Sequence, residues 1–171
     1  QPPNLQAGRQ AVVARLRQMG KAEFQQAQEL AEGDCEYSSS AKVLLDTSAL
    51  FSLETTGHWL CPGRATQGGR GPLIFEMGSG LEYDISRLYR VRDAQGALIA
   101  PLRNLVARRL DPKEMSMARQ DIAKWVNTDL SRGRPHLFVT KNGIWAWPEA
   151  SAVWLDEVVL TWADLRPCLD M

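Results

Sequence analysis

Cys35 and Cys61 flank two short β-favouring runs, and this arrangement constrains the fold more than any other feature of the chain. The runs are Lys42–Leu45 and Ala49–Leu53, and Asp46, Thr47 and Ser48 between them read as a turn. A hairpin closed there pairs residues whose numbers sum to about 96, which sets Cys35 opposite Cys61 at its open end. Antiparallel neighbours at non-hydrogen-bonded positions lie within disulfide reach. The alternative is a pair of buried free thiols. A bridge implies an oxidising compartment, periplasmic or secreted. Cys168 is then the odd cysteine, expected as a buried thiol near a C-terminal helix.

The three Cys form no Cys-x-x-Cys pair, and with two His they make neither a zinc framework nor a redox centre. No metal or cofactor is expected. Lys+Arg and Asp+Glu both total 20, so the basic excess of a nucleic-acid binder is missing. No run approaches the roughly 18 apolar residues of a membrane span. The 171 residues suit one domain with a core, residues 1–171, with a helical segment over 5–32 and an α+β part over 36–171. Gln1-Pro2-Pro3 fits a mature start after a removed signal or lipid-anchor segment, and equally an arbitrary boundary.

Along the first helix, Val12, Val13, Leu16, Met19, Phe24, Ala27 and Leu30 give an approximate 3.6-residue stripe. Gly33 is a stop signal, and Gly20 is a candidate break. After the Cys hairpin, residues 61–72 form a glycine-rich stretch carrying Arg64 and Arg70. No Gly-Lys-Ser/Thr follows, so a P-loop is excluded, and the stretch reads as a binding loop or a plain connection. Pro72–Met77 and Leu81–Ile85 then read as a second hairpin about Gly78-Ser79-Gly80.

Leu98, Leu102, Leu105, Val106 and Leu110 form a helical stripe. Asp111-Pro112-Lys113-Glu114 looks like a fresh helix start, and Met115, Ala118, Ile122, Trp125 and Val126 share one face of that helix. A third hairpin runs His136–Lys141, Asn142-Gly143, Ile144–Trp147. A strand over Ala152–Leu160 and a capped helix opening at Thr161-Trp162-Ala163-Asp164 complete the chain. The order predicts an α+β fold: a largely antiparallel sheet of hairpins, with an N-terminal helix, two middle helices and a short C-terminal helix packed on it.

Catalytic groups are few. His58 and His136 have no nucleophile motif nearby and read as edge residues. Glu76 and Glu82 face each other across the second hairpin in this register, a spacing open to acid–base work or to a plain solvated surface. Trp145 and Trp147 alternate onto one sheet face, which either packs against a helix or stacks on sugar rings.

The second half, from His136-Leu-Phe-Val-Thr-Lys-Asn-Gly-Ile144 through Trp145–Val153 to Glu157–Leu169, resembles the extracytoplasmic domain of RsiV-type lysozyme-sensing anti-sigma factors. Leu50–Leu53, Cys61–Arg64, Pro72–Phe75 and Gly80–Ile85 match in the same order, so the resemblance covers roughly residues 36–171. Where that family has a Gly-Ala-His-Pro-like loop, this chain has Arg64, and Pro148-Glu149-Ala150 replaces its Tyr-rich bend. Locally, Ser79-Gly80-Leu81-Glu82-Tyr83 is similar to the Ser-Gly-x-x-Tyr loop with which lysozyme inhibitors of unrelated fold plug the enzyme cleft. Thr140-Lys141-Asn142-Gly143 is similar to their Thr-Lys-Gly element, one residue longer. A Ser-Gly turn before a strand is also ordinary hairpin chemistry.

These resemblances imply a non-enzymatic envelope protein of inhibitor or immunity type whose partner is a lysozyme-like peptidoglycan hydrolase. The partner-binding residues implied are Ser79, Gly80, Glu82, Tyr83, Arg64, Arg70 and Lys141, of which Ser79, Tyr83, Arg64, Arg70 and Lys141 are the groups expected to bond cleft carboxylates. The other readings are a peptidoglycan-binding or lysozyme-sensing module, and an envelope enzyme using Glu76 and Glu82.

Overall fold

The computed structural model describes residues 5–30, 35–63, 67–110, 112–113, 118–129, 135–147 and 158–168. Within the span expected to form one domain, the chain makes two compact units, Gln1–Tyr83 and Asp84–Met171. Both are α+β, each built on a three-stranded antiparallel sheet.

The first unit consists of helix α1 (Leu5–Leu30) and strands β1 (Glu36–Asp46), β2 (Leu50–Leu60) and β3 (Gln67–Glu76), in spatial order β1-β2-β3. The β1–β2 register runs from Glu36↔Leu60 to Val43↔Leu53, every pair summing to the expected value, before a bulge shifts it by one. Thr47 closes the turn with its backbone N–H and hydroxyl on the Leu50 carbonyl, 3.0 and 2.9 Å. At the open end Cys35 and Cys61 form a disulfide, their Cα atoms 4.2 Å apart.

Two expectations fail here. The second half of the glycine-rich stretch is strand, because β3 starts at Gln67 and takes in Gly68, Gly69 and Gly71. Neighbouring side chains occupy the space that glycine leaves: a β-carbon on Gly68 would lie 2.5 Å from His58 Nδ1. Pro72 is accommodated because β3 is an edge strand. The strand expected over Leu81–Ile85 reduces to one bridge, Phe75↔Glu82, followed by a 3-10 turn at Ile85–Arg87. Asp84 caps that turn by accepting the Ser86 N–H at 3.0 Å.

Helix α1 is unbroken at Gly20. Strand alternation puts Phe51, Leu53, Leu73 and Phe75 on one sheet face. Val12 and Leu16 pack on this face with Phe75 and Met77, forming the apolar core of the unit. The stripe is only partly used, since Val13 and Phe24 are 45% and 63% exposed. Gly33 lies outside the described residues.

The second unit contains helices α2 (Ala100–Arg109) and α3 (Arg119–Asp129), strands β4 (His136–Thr140), β5 (Gly143–Trp147) and β6 (Val159–Thr161), and the short helix α4 (Trp162–Leu165). Its sheet has the order β4-β5-β6. Gly143 takes φ +151°, and a β-carbon there would meet the Leu160 carbonyl oxygen at 1.9 Å, so the Asn-Gly turn needs glycine. Trp145 is buried against Phe138, ring centroids 4.5 Å apart, and Trp147 meets it edge-on at 5.8 Å. These tryptophans are core, which closes the sugar-stacking reading for them. Ile122 and Val126 of α3 and Leu102 and Val106 of α2 are also buried.

Arg119 donates to the carbonyls of Ala107, Arg108 and Leu110, capping the C-terminal end of α2. Thr161 and Asp164 form the expected capping box of α4. The helix start expected at Asp111–Glu114 is not where α3 opens: Pro112 and Lys113 lie in a turn and α3 begins at Arg119. Asp111, Glu114, the end near Arg132-Gly133 and most of the Ala152–Leu160 segment lie outside the described residues. Cys168 is a half-buried free thiol beyond α4, and burial pushes its pKa up. Among the described residues no helix is long and apolar enough to cross a membrane.

Candidate functional site

The turn joining β3 to the bridge residue Glu82 holds most of the residues singled out by sequence. Its backbone is closed by Gly80 N–H to the Glu76 carbonyl at 2.7 Å, Glu76 N–H to Leu81 O at 2.9 Å and Tyr83 N–H to Ile74 O at 2.8 Å. Gly80 takes φ +70°, the left-handed region that glycine enters without strain. It is buried against α1, where a β-carbon would lie 2.4 Å from Ala11 Cβ. Arg15 of α1 holds Glu82 with Nε and Nη2 at 3.2 and 3.1 Å from one carboxylate oxygen. The turn is therefore anchored on two sides, by the sheet and by the helix.

The Ser79 hydroxyl donates to Glu76 Oε2 at 2.7 Å and accepts the Leu81 N–H at 3.3 Å. The Ser79 hydroxyl, expected to reach a partner's carboxylate, is thus already engaged inside the turn. What the turn presents outward is Leu81, 69% exposed, with Ser79 and Glu82 beside it and Tyr83 half-buried. Leu81 is a variable position of the Ser-Gly-x-x-Tyr pattern. The available signal was an apolar residue next to a Gly-Ser-Gly turn.

Glu76 and Glu82 are not cross-strand partners, since Glu82 bridges Phe75. Both are exposed, one bonded to Ser79 and the other to Arg15. Neither lies in the buried, water-excluded setting that acid–base work by a carboxyl pair uses.

Arg70 serves the fold. On β3 it makes an ion pair with Glu54 of β2, whose residue is 4% exposed. Thr56↔Arg70 and Glu54↔Pro72 pairing makes the two residues diagonal neighbours on one face. Lys141 is exposed in the β4–β5 turn of the second unit, and its carbonyl accepts the Trp162 Nε1 hydrogen at 2.9 Å. Arg64 lies outside the described residues. Among the described residues, no group of three or more His, Cys, Asp and Glu is placed to hold a metal ion.

No family model matches the sequence, and no curated protein sequence is detectably similar to it. Among solved structures, the chain is similar to the crystal structure of a DUF3298 family protein from Pseudomonas aeruginosa. The superposition has a TM-score of 0.59 and 16% identity, and covers 88% of this chain and 69% of that one. At this identity the likeness is one of fold: the chain shares an α+β architecture with a DUF3298 family protein.

Proposed function

We propose that this chain is a non-enzymatic cell-envelope protein, periplasmic or secreted, that binds and inhibits a lysozyme-like peptidoglycan hydrolase. The observation that carries this reading is the Gly78–Tyr83 turn, which is fixed on both α1 and β3 and displays Leu81 to solvent. A rigid loop forfeits little conformational entropy on binding, so its contacts convert into affinity efficiently. The Cys35–Cys61 disulfide supports an oxidising compartment. DUF3298 domains are related to RsiV-type domains, so the fold likeness supports the resemblance read from the sequence.

Recognition on this reading is mainly apolar at the centre, through Leu81 and Tyr83. Glu76, exposed beside Ser79, adds an acidic group at the rim, while Glu82 is paired with Arg15 and holds the turn in place. Ser79 and Gly80 act by shaping the turn. Calorimetric titration of the purified protein into lysozyme-type hydrolases tests the proposal. Saturable binding that weakens about tenfold or more in Leu81→Ala is expected. No binding to any of them by the folded protein would overturn it.

A further inference from the structure

The face that α1 covers changes character along the first unit. Near the β1–β2 turn it is apolar core. Toward the disulfide it opens into a groove of about 380 Å³ between α1 and the sheet. That volume is within the range of about 300–1,000 Å³ usual for small-ligand sites.

Tyr37 and Trp59 close one end of the groove. They are cross-strand partners whose rings stack at 4.4 Å between centroids, tilted by 35°. Both are half-buried. The floor follows from the register: Gly57 pairs with Gly69, and Thr55 with Gly71, all on the face of Tyr37 and Trp59. The Tyr37 hydroxyl lies over Gly57, 2.8 Å from where a β-carbon would stand. Above Gly69 there is open space, with no described atom within 4 Å of a β-carbon position. Glu23 of α1 supplies a carboxylate along the walls, and Thr55, whose hydroxyl donates to the Gly71 carbonyl at 3.1 Å, keeps its oxygen as an acceptor.

We propose that this groove binds a neutral glycan, one or two pyranose rings lying over the glycine floor with an apolar ring face against the Tyr37–Trp59 wall. A pyranose combines a flat C–H face with a rim of hydroxyls. An aromatic wall satisfies the first, and threonine hydroxyl, tyrosine hydroxyl, carboxylate and exposed backbone satisfy the second. Among the described residues the only charged side chain lining the groove is Glu23, which disfavours a phosphate-bearing ligand. A peptide strand would need pockets for alternate side chains, and a glycine floor supplies none.

The test is calorimetric titration of the full chain with a β-1,4-linked N-acetylglucosamine tetramer and with cellotetraose, alongside a free peptidoglycan stem peptide. Saturable binding of either sugar is expected, at least tenfold weaker in Trp59→Ala. Gly69→Val places its side chain in open space, so it should fold normally and block the sugar while leaving Leu81-dependent hydrolase binding unchanged. Absence of binding to both sugars, sugar binding that both variants retain, or binding of the stem peptide alone would each overturn the proposal.

Discussion

Gly8 of α1 lies against the Met77 carbonyl so closely that a β-carbon on it would stand 1.7 Å from the oxygen. One turn further along, Ala11 touches Gly80. The helix and the Gly78–Tyr83 turn therefore meet backbone to backbone, and this approach, with Arg15–Glu82, fixes the surface proposed to meet a partner.

Gly8→Ala tests that approach. The methyl must displace the helix or the turn, with an expected cost of about 1–3 kcal/mol. Alanine is the better helix former by about 1 kcal/mol, so propensity alone predicts the opposite sign. A lowered thermal midpoint decides for close packing, and a raised one decides against it.

Opening the Cys35–Cys61 bridge should cost the first unit about 3 kcal/mol, the magnitude expected for a loop of this size. Denaturant titration of Cys35→Ser/Cys61→Ser beside the parent protein measures it. A thiol count on unreduced, unfolded protein should give a single reactive group, Cys168.

Arg70→Ala should be strongly destabilising, by about 3–5 kcal/mol, because it leaves the buried Glu54 carboxylate without its cation. The double variant Arg70→Ala/Glu54→Gln should recover part of that loss. Additive losses in the double-mutant cycle would remove the ion pair from the account.

The pH dependence of the second unit should have a definite sign. Burial raises the pKa of Asp164, but hydrogen bonds from the Thr161 hydroxyl and backbone N–H, and then Arg109, outweigh it and hold the carboxyl below 3.8. A carboxylate lowered in the folded state adds stability above its unfolded pKa of about 3.9, lost as pH falls through the folded value. Asp84 is shifted the same way, its burial outweighed by Ser86, Arg92 and Arg87. Stability measured from pH 6 down to pH 2 should fall most steeply below about pH 4, and Asp164→Asn should flatten that fall. Thr161→Ala should cost about 1 kcal/mol at neutral pH through the lost helix cap.

The parts of the fold that rest on local chemistry were legible in the sequence. The Asp46–Ser48 turn set the β1–β2 register and with it the disulfide, and Thr161 and Asp164 announced α4. The burial of Trp145 and Trp147 was one of two readings that alternation left open. The misses arose where tertiary neighbours decide. Gly68, Gly69 and Gly71 looked like loop residues, but they extend β3 through pairing with β2, and His58 fills the space beside Gly68. Val13 and Phe24 fit the helical stripe, yet core packing takes only Val12 and Leu16 from its first turns. Within the candidate site, Ser79 and Gly80 were visible as a motif. Their engagement with Glu76 and Ala11, and the exposure of Leu81, depend on where α1 docks, which no short-range pattern encodes.

Inhibition itself is read by a lysis titration: the protein added in increasing amounts to lysozyme-type hydrolases acting on peptidoglycan, with Leu81→Ala in parallel. For one class of hydrolase, lysis should fall in proportion to added protein, and the variant should need about tenfold more or fail. Undiminished lysis by every hydrolase in the presence of excess folded protein would contradict the inhibitor assignment.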